Sequence, residues 1–544
     1  MGRQVHKLSA IEVKKASTPL LPVAAVCTLF LASCALQIHA PTVSHQPVMQ
    51  DEPWLVRCET ARVHDDAPGN VTGASNLEWV FAEDERGHRI EIDGKLVDGF
   101  LEVAAMHSSS GQPIEASRMK TREACLDSIS RIEGSKQLML GWVMAARARE
   151  EINIPPVYPE EMKSGDKVTR MVIFGDSLTD TGRLKQRLRI FPLKPYWIGR
   201  FSNGPVWPEY LAMATGMGVQ NLAYGGASAA DPDALPGERL LGRARQVGQF
   251  FVSGTIELQI SDYLERTLRD GKIERADTTA FLIWAGANDY ISKEPISGLI
   301  TTFLSSPEGE AGYKAVVERA VTQLGQHVRT LYAAGARRFV MVNLPDLGRT
   351  PIVLQNTTYA PKHLENNDAA RKLDLAHRLT ELTRYHNQIL ATAVEQLRMD
   401  LPGSGIILVD AFEHFKRLYG ADDRAPLQPA DYGYDSTALA ETLSYEGQRL
   451  TLQQRCYSGF YNPVTLDPNS ICPNPDQALF WDSVHPTTLT HCWQAWNVGN
   501  DLAEAGWIRP LPDQRAYLAW CQTIVNRVTL GSAEDLPPAH AAPH

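Results

Sequence analysis

Hydrophobic runs of strand length alternate with longer helical patterns over residues 170–409. The runs are Arg170–Phe174, Val219–Leu222, Thr279–Trp284, Arg338–Asn343 and Gly405–Val409, and the clearest helical stretches are Tyr313–Ala334 and Asp368–Arg398. This alternation predicts right-handed βαβ units, and therefore an α/β fold with a parallel sheet between two layers of helices. Active sites in such folds form at the carboxyl ends of the strands, so we expect the reactive residues directly after these runs.

The chain before residue 153 has a different pattern, in which short strand-like runs alternate with turns. The runs are Trp54–Cys58, Leu77–Ala82, Arg89–Ile92 and Phe100–Ala104, and Asp93-Gly94 is a hairpin signal between the last two. They predict a small β-rich domain over residues 54–152, with a trailing helix at Gln137–Ile152. Three prolines within Asn153–Asp166 favour a linker, so a second domain is expected over residues 167–530.

An apolar segment near the N-terminus has the features of an export signal. Pro19–Ala32 is apolar or small throughout, follows a lysine-containing flank and is too short to span a bilayer. It leads into the sequence Leu-Ala-Ser-Cys34, which is similar to the lipobox of bacterial lipoproteins, in which the cysteine is lipidated. The alternative is a plain secretory signal that is cleaved nearby. Both interpretations predict an exported protein, either an outer-membrane lipoprotein or a freely secreted one, with a tether at 35–53 and a disordered tail at 531–544.

The composition is that of a soluble globular protein with an acidic balance. The 544 residues are 44% hydrophobic and 21% charged, and the formal net charge is −10. This charge argues against a broad nucleic-acid-binding surface and provides no long-range attraction to anionic lipid. Any contact with a membrane must therefore be local and apolar.

Six cysteines remain when Cys27 and Cys34 are set aside with the signal segment. They are Cys58, Cys125, Cys456, Cys472, Cys492 and Cys521. An even number in an exported chain indicates disulfides, and the order along the chain favours pairing of neighbours, although other pairings stay open. Metal binding is the rival interpretation, but the sequence has no C-x-x-C motif and no close His/Cys cluster, so no metal site is predicted.

Ser177 is the first candidate for chemistry. It lies in the sequence Gly175-Asp176-Ser177-Leu178, directly after the first apolar run. A serine on a strand-to-helix turn projects its hydroxyl above the sheet edge, where helix amides can stabilise negative charge. Taken alone, the segment is equally consistent with a helix start capped by Ser177 or Asp176.

Two further segments follow later strands and offer hydrogen-bond donors. Gly225-Gly226 follows the second run, and paired glycines let backbone amides approach a ligand closely, although such a pair usually marks a turn. Asn288 follows the third run and provides a neutral donor that can stabilise an oxyanion. The plain alternative for Asn288 is an Asx turn at a helix start.

Asp482 and His485 are three residues apart, so a single helical turn would place both on the same side. One short segment can thus supply a general base and the carboxylate that orients it, and Pro486 restricts the backbone there. A lone histidine is more often structural than catalytic, so this segment gains weight only together with the others.

The four segments, in this order, resemble the four blocks of the SGNH/GDSL hydrolase superfamily. Ser177 matches the first block, Gly226 the second, Asn288 the third, and Asp482 with His485 the fourth. The likeness covers about residues 170–508. It implies the flavodoxin-like, three-layer α/β fold of that superfamily, here preceded by the β-rich N-terminal domain.

Five longer blocks resemble a narrower group, the bacterial glycerophospholipid:cholesterol acyltransferases with their phospholipase A, lysophospholipase and thermolabile haemolysin relatives. The blocks lie at residues 174–182, 199–207, 284–290, 343–348 and 480–488. Members of this group have a cysteine-closed loop before the Asp-x-x-His segment, as Cys456 and Cys472 would form here. Some haemolysin relatives lack the triad aspartate, which this chain keeps at Asp482.

The resemblance implies acyl transfer through a covalent serine ester, without a cofactor. Ser177 would be the nucleophile, His485 the base and Asp482 its orienting carboxylate, while the amides of Ser177 and Gly226 and the Asn288 side chain would form the oxyanion hole. The implied substrate is a fatty-acyl ester of a phospholipid or lysophospholipid at a membrane or micelle surface. The rivals are a carbohydrate or aryl esterase with the same triad, and a catalytically inert surface binding protein.

Two turn-rich regions, 236–254 and 426–475, are long enough to form lids over such a site. The second is expected to be stiffened by a disulfide between Cys456 and Cys472. This bond would either gate substrate entry or have a purely structural role.

Overall fold

The computed structural model describes residues 52–62, 78–132, 138–150, 152–188, 192, 195–230, 255–268, 270–291, 309–357, 359–364, 366–419, 429–434, 440–459 and 471–529. Apart from residue 52, these belong to one compact unit, Pro53–His544. The predicted signal segment with Cys34, the predicted tail and the first predicted lid, 236–254, lie outside the described residues.

The N-terminal region forms a seven-stranded sheet. Its strands are β1 (Trp54–Arg62), β2 (Glu78–Phe81), β3 (Ile90–Val97), β4 (Phe100–Ser108), β5 (Pro113–Ile114), β6 (Leu138–Ala146) and β7 (Pro156–Val157). The pairs are antiparallel except for β7, which runs parallel to β4. Helix α1 (Arg118–Ser130) packs on this sheet, and its Cys125 is disulfide-bonded to Cys58 of β1. The predicted boundary between two domains stays a prediction.

The helix predicted over Gln137–Ile152 is wrong, because Leu138–Ala146 form strand β6. This strand runs antiparallel to β1 and buries Leu138 and Leu140 in the core beneath the sheet. Its leucines, methionines and alanines favour a helix in isolation. Pairing with β1 satisfies the backbone groups of both strands, and this tertiary contact overrides the local preference.

The hairpin between β3 and β4 turns at Asp98-Gly99, and the prediction of a turn at Asp93-Gly94 is wrong. Asp98 (φ 52°) and Gly99 (φ 85°) both have left-handed backbone conformations, as a two-residue type I′ turn requires. Asp93 and Gly94 lie within β3, where the register against β4 shifts in a bulge. The chain contains Asp-Gly at both places, and only the pairing of the strands distinguishes them.

The predicted linker, Asn153–Asp166, is largely folded against the N-terminal sheet, so it is not a free connection. Ile154 exchanges two backbone hydrogen bonds of 2.8 Å with Ala145 of β6. Strand β7 and the short helix α2 (Pro159–Met162) follow. Pro156 lies in this short edge strand and Pro159 at the helix start, where the missing N–H is tolerated.

A five-stranded parallel sheet follows, as the alternating pattern predicted. Its strands are β8 (Arg170–Gly175), β9 (Gly218–Asn221), β10 (Thr279–Trp284), β11 (Arg338–Val342) and β12 (Gly405–Val409). Their order across the sheet is β12-β11-β10-β8-β9, the flavodoxin-like order. The chain order reverses between β8 and β10, and ligands of such folds bind in the crevice at that point.

Helices cover both faces of this sheet. They are α3 (Arg183–Leu188), α4 (Trp207–Thr215), α5 (Ile256–Thr267), α6 (Gly309–Ala333), α7 (Ile352–Gln355), α8 (Asp368–Asp400), α9 (Ala411–Leu418), α10 (Thr488–Glu504) and α11 (Gln514–Thr529). Phe174, Phe281 and their neighbours on one face pack with α5, α6 and α8. The alternate residues, such as Ile173 and Leu282, pack with α4, α10 and α11 on the other face. The result is a three-layer α/β arrangement.

A small hairpin, β13 (Ala440–Tyr445) and β14 (Gln448–Gln453), lies within the second predicted lid. Its Leu443, Leu450 and Leu452 join the core that contains α8. The disulfide Cys456–Cys472 follows it, and Cys492–Cys521 joins α10 to α11. All three predicted neighbour pairs are therefore formed. No helix in the described part of the chain is long and apolar enough to cross a bilayer.

The two sheets are joined by ion pairs that centre on Glu102 of β4. Its carboxylate contacts Arg170 at the start of β8 and accepts two hydrogen bonds from Arg275, at 2.8 and 3.0 Å. Asp98, in the turn after β3, accepts the backbone N–H groups of Glu274 and Arg275 at 2.9 and 2.7 Å. These contacts hold the N-terminal sheet against the loop that leads into β10.

Candidate active site

Ser177 lies on a tight turn directly after β8, at the carboxyl edge of the parallel sheet. The N–H groups of Thr179 and Asp180 close this turn by donating to the carbonyl oxygen of Asp176, at 3.0 Å each. The Asp176 carboxylate accepts the N–H of Leu178 at 3.0 Å. Asp176 therefore provides the local capping bond, and the Ser177 hydroxyl points elsewhere.

Asp482 and His485 lie on a compact turn before α10, so one short segment carries both residues. The turn is not helical, and the helical turn predicted from their spacing is wrong. The N–H of Trp481 donates to the carbonyl oxygen of His485 at 2.8 Å and closes the turn. One oxygen of Asp482, Oδ1, accepts the N–H groups of Val484 and His485 at 2.9 and 2.8 Å. The backbone thus fixes the carboxylate beside the imidazole.

The structure brings these three predicted residues into one hydrogen-bonded chain. His485 Nε2 lies 2.7 Å from Ser177 Oγ, and His485 Nδ1 lies 2.7 Å from Asp482 Oδ2. Asp482 is fully buried, whereas Ser177 is 9% exposed. This geometry matches a nucleophile, a general base and an orienting carboxylate.

The proposed oxyanion donors lie on neighbouring strand ends. Asn288 is on a single 3₁₀ turn after β10, and its Nδ2 donates to the carbonyl oxygen of Ala227 at 3.0 Å. The N–H of Gly225 donates to the Asp180 carboxylate at 2.8 Å, so this amide is already engaged. Gly226 follows with φ 82°, a conformation that favours glycine. Of the two glycines, the second is the better candidate for an oxyanion donor.

Two carboxylates that the sequence did not single out hold the loop containing Gly226. Asp180 anchors its first residue through the Gly225 bond, and Asp289 accepts the N–H groups of Ala229 and Ala230 at 2.8 and 3.1 Å. Both are buried. Their positions, within a few residues of Ser177 and Asn288, are a signal that a search for supporting residues could have used.

Burial and neighbouring charges set the protonation of the carboxylates. Burial raises the pKa of Asp176 to about 7, against smaller opposing effects of the Leu178 N–H and His485. Burial also acts to raise the pKa of Asp482, but the nearby His485 and hydrogen bonds from His485 and Tyr196 outweigh it and lower that pKa. Asp482 is therefore held ionised beside His485, as an orienting carboxylate must be.

A buried histidine on α10 lies near the same pair. Burial, with a smaller contribution from His485, lowers the pKa of His491 to about 3. His491 is therefore neutral at physiological pH. Across the described residues, no group of three or more histidine, cysteine, aspartate or glutamate side chains is arranged to hold a metal ion.

A hydrogen-bonded serine, histidine and aspartate at the carboxyl end of a flavodoxin-like sheet are typical of the serine esterases and lipases with an α/β fold. The chain belongs to the family described as GDSL-like Lipase/Acylhydrolase, whose sequence pattern matches residues 171–496. The resemblance predicted from the sequence blocks is confirmed by this match.

Individual relatives are more distant. The chain is 25% identical over 347 residues to the phosphatidylcholine-sterol acyltransferase of Aeromonas hydrophila, covering 59% of this chain and 87% of that protein. It is 23% identical over 432 residues to the thermolabile hemolysin of Vibrio parahaemolyticus, covering 78% of this chain and 84% of that protein. It is also 27% identical over 349 residues to the secreted effector protein SseJ of Salmonella typhimurium, covering 63% and 65% of the two chains.

Proposed function

We propose that the protein is an exported serine esterase that hydrolyses fatty-acyl esters of phospholipids or lysophospholipids. The observation that carries this proposal is the hydrogen-bonded chain from Ser177 through His485 to Asp482, with 2.7 Å at each step. Membership of the lipase/acylhydrolase family supports ester chemistry in general. The choice of a lipid ester is supported by the names of the acyltransferase and the hemolysin to which the chain is similar.

The reaction proceeds through an acyl-enzyme. His485 Nε2 takes the proton of the Ser177 hydroxyl while Oγ bonds to the ester carbonyl carbon and the carbonyl oxygen becomes an oxyanion. Collapse of this intermediate breaks the bond to the alcohol, which leaves with the proton from His485. Water then gives a proton to His485 while its oxygen bonds to the carbonyl carbon of the acyl-serine. Collapse of this second intermediate breaks the bond to Ser177 Oγ, which takes the proton back from His485, and the fatty acid is released. Asp482 keeps its negative charge throughout and stabilises the imidazolium.

The oxyanion would be held by the amides of Ser177 and Gly226 and by the Asn288 side chain. Support comes from their common location at the carboxyl ends of β8, β9 and β10, the point where the strand order reverses. Donors fixed before the reaction stabilise the developing charge without reorganising. The carboxylates of Asp180 and Asp289 accept hydrogen bonds from the loop that contains Gly226, and these bonds would provide the rigidity.

The catalytic assignment is tested with Ser177→Ala and a matched control, Ser128→Ala. Ser128 is also a buried serine, but it lies on α1 of the N-terminal region and its Oγ accepts the N–H of Glu83 after β2. We expect Ser177→Ala to lose about 10⁴-fold or more in turnover and all labelling by a fluorophosphonate, because the nucleophile is gone. Ser128→Ala should keep both. Full activity in a folded Ser177→Ala protein would refute the mechanism.

The acyl acceptor is tested by product analysis. Phosphatidylcholine with a labelled acyl chain would be supplied with and without cholesterol, and the label followed into free fatty acid or cholesteryl ester. Fatty acid alone indicates a hydrolase, and cholesteryl ester indicates an acyltransferase that uses the same acyl-enzyme. A strong preference for acetyl over long-chain esters would instead favour the carbohydrate or aryl esterase alternative.

We also infer export, with lipidation of Cys34 as the anchor. The three disulfides support an oxidising compartment, and the name of the similar Salmonella protein describes it as secreted. Mass spectrometry of the N-terminal peptide from the producing cell tests the anchor. An acylated cysteine at the mature N-terminus supports it, whereas an unmodified peptide beginning elsewhere contradicts it.

A further inference from the structure

The segment Tyr196–Asn203 overlaps a sequence block whose role the triad does not explain. It lies beside the turn that carries Asp482 and His485, and several of its side chains contact that turn and the start of α10. The Phe201 ring packs on the His485 imidazole with centroids 5.0 Å apart. Ser202 Oγ donates to the carbonyl oxygen of Pro486 at 3.0 Å, and Asn203 Oδ1 accepts the N–H of Thr488 at 2.8 Å.

Tyr196 makes the contact closest to the chemistry. Its hydroxyl donates to Asp482 Oδ2 at 2.6 Å, and this is the same oxygen that lies 2.7 Å from His485 Nδ1. Since Oδ1 accepts two backbone N–H groups, each carboxylate oxygen has two donors. The fully buried carboxylate is thereby held in one orientation from four directions.

We propose that Tyr196 is a positioning residue that acts on the reaction through Asp482. This inference rests on the proposed catalytic role of Ser177, His485 and Asp482. The hydroxyl of Tyr196 withdraws charge from Oδ2 and fixes its direction, so it sets how strongly Asp482 holds His485 in its charged form. Hydrogen bonds to an ionised group are stronger than those between neutral groups, so this contact is worth more than an ordinary buried bond.

The location of Tyr196 is set by its surroundings. Its ring packs edge-on against Tyr457 at 5.7 Å and Trp481 at 6.5 Å between centroids. Further along the segment, Arg200 is completely buried and pairs with Glu209 at 2.6 Å and with Glu59 of β1 at 2.9 Å. The ring packing does not depend on the hydroxyl, so removal of that group alone should leave the segment in place.

The test compares Tyr196→Phe with a matched control, Tyr359→Phe. Tyr359 is likewise buried, and its hydroxyl also donates to a carboxylate, that of Asp374 on α8, which is not one of the proposed catalytic residues. We expect Tyr196→Phe to lower kcat on a soluble short-chain p-nitrophenyl ester roughly three- to tenfold, with KM near wild type. Tyr359→Phe should leave kcat unchanged even if both variants lose similar stability.

The pH profile separates positioning from a structural role. Without the tyrosine hydroxyl, Asp482 holds protonated His485 more tightly, so the acidic limb of kcat/KM should move to higher pH. Within the described part of the chain, the titratable and charged groups near the pair include Asp176 after β8, Arg455 and Tyr457 after β14, and His491 on α10. All of them are retained in the variant. In an Asp482→Asn background, Tyr196→Phe should have little further effect.

An unmoved acidic limb, an equal loss in Tyr359→Phe, or full additivity with Asp482→Asn would each overturn the proposal. Ser177→Ala is measured beside these variants. If Ser177→Ala stays active, the proposed function itself fails. If Ser177→Ala is inactive while Tyr196→Phe behaves as wild type, only the role of Tyr196 fails.

Discussion

Replacing Glu102 by glutamine should weaken the contact between the two sheets in a way that depends on pH. Arg170, which Glu102 contacts, is only 1% exposed, and within the described chain its Nε and Nη1 atoms have no hydrogen-bond partner. Its guanidinium lies over the Phe100 ring, 5.6 Å from the centroid. The carboxylate of Glu102 is therefore the group that compensates a buried positive charge, and the amide of glutamine would not carry the charge needed to do so.

The pKa of Glu102 gives the size of the stability loss that we expect for Glu102→Gln. Hydrogen bonds from Arg275 have the largest effect and lower this pKa, whereas burial raises it. Arg170 lowers it further, and the net result is a fall from 4.5 to about 2. At roughly 1.4 kcal/mol for each pKa unit, this difference corresponds to at most about 3.5 kcal/mol of the free energy of unfolding. Arg275 is partly open to solvent, which screens its share, so we expect a loss of about 2 kcal/mol for Glu102→Gln at pH 7.

The sign of the pH dependence follows from the direction of the shift. Because the pKa is lower in the folded protein, the carboxylate stabilises the fold fully above about pH 4.5 and loses this effect as the pH falls towards 2. The difference between wild type and Glu102→Gln should therefore shrink over that interval. Urea unfolding at several pH values measures it directly.

Glu274→Gln is the matched control, since Glu274 also links the two sheets. Its pair with Lys95 spans 2.9 Å, but both side chains are more than half exposed. Such pairs contribute about 0.5 kcal/mol or less. A constant difference for Glu102→Gln between pH 7 and 3, or an equal loss in Glu274→Gln, would refute the reasoning.

Three further outcomes are expected. Asn288→Ala should lower kcat by about 10²–10³ while the fluorophosphonate still labels the nucleophile, and an unchanged kcat would remove Asn288 from the oxyanion hole. If the disulfide Cys456–Cys472 gates substrate entry, its replacement by two serines should impair activity on micelles more than on a short soluble ester; equal effects would indicate a purely structural role. Replacing Cys492 and Cys521 by serine should cost about 3 kcal/mol of stability in urea unfolding, because the bond closes a loop between α10 and α11, and unchanged stability would contradict this.

The parallel sheet was predictable from the sequence almost residue by residue. Thr279–Trp284 and Gly405–Val409 were predicted with the bounds that the structure gives. Strands buried on both faces are nearly continuous apolar runs, so their limits are visible in the sequence. Leu138–Ala146 was not predictable in this way, because its residues suit a helix and its pairing with β1 is decided by distant parts of the chain.

The three proposed catalytic residues were predicted from their order along the chain and their spacing. The residues that support them were not. Asp482 and His485 are close in sequence, and Ser177 lies at a strand end whose location the fold fixes. Tyr196 and Asp482 are 286 residues apart in the sequence, and no spacing pattern predicts their contact. A tyrosine in a loop predicts neither its burial nor its hydrogen-bond partner, since both depend on how separate segments pack.

The contact between the N-terminal sheet and the segment beside the site was not predictable from the sequence for the same reason. In the sequence, Glu59 is a charged residue directly after the predicted strand Trp54–Cys58, and a glutamate in such a place usually faces water. In the structure it is 1% exposed, and burial raises its pKa to about 7 despite the opposing effect of Arg200. Burying a carboxylate costs free energy, and a buried cation beside it offsets part of that cost. That cation, Arg200, belongs to the segment whose Tyr196 contacts Asp482. The N-terminal sheet thus supports the same segment that positions the carboxylate, which gives this sheet a physical route to the proposed chemistry.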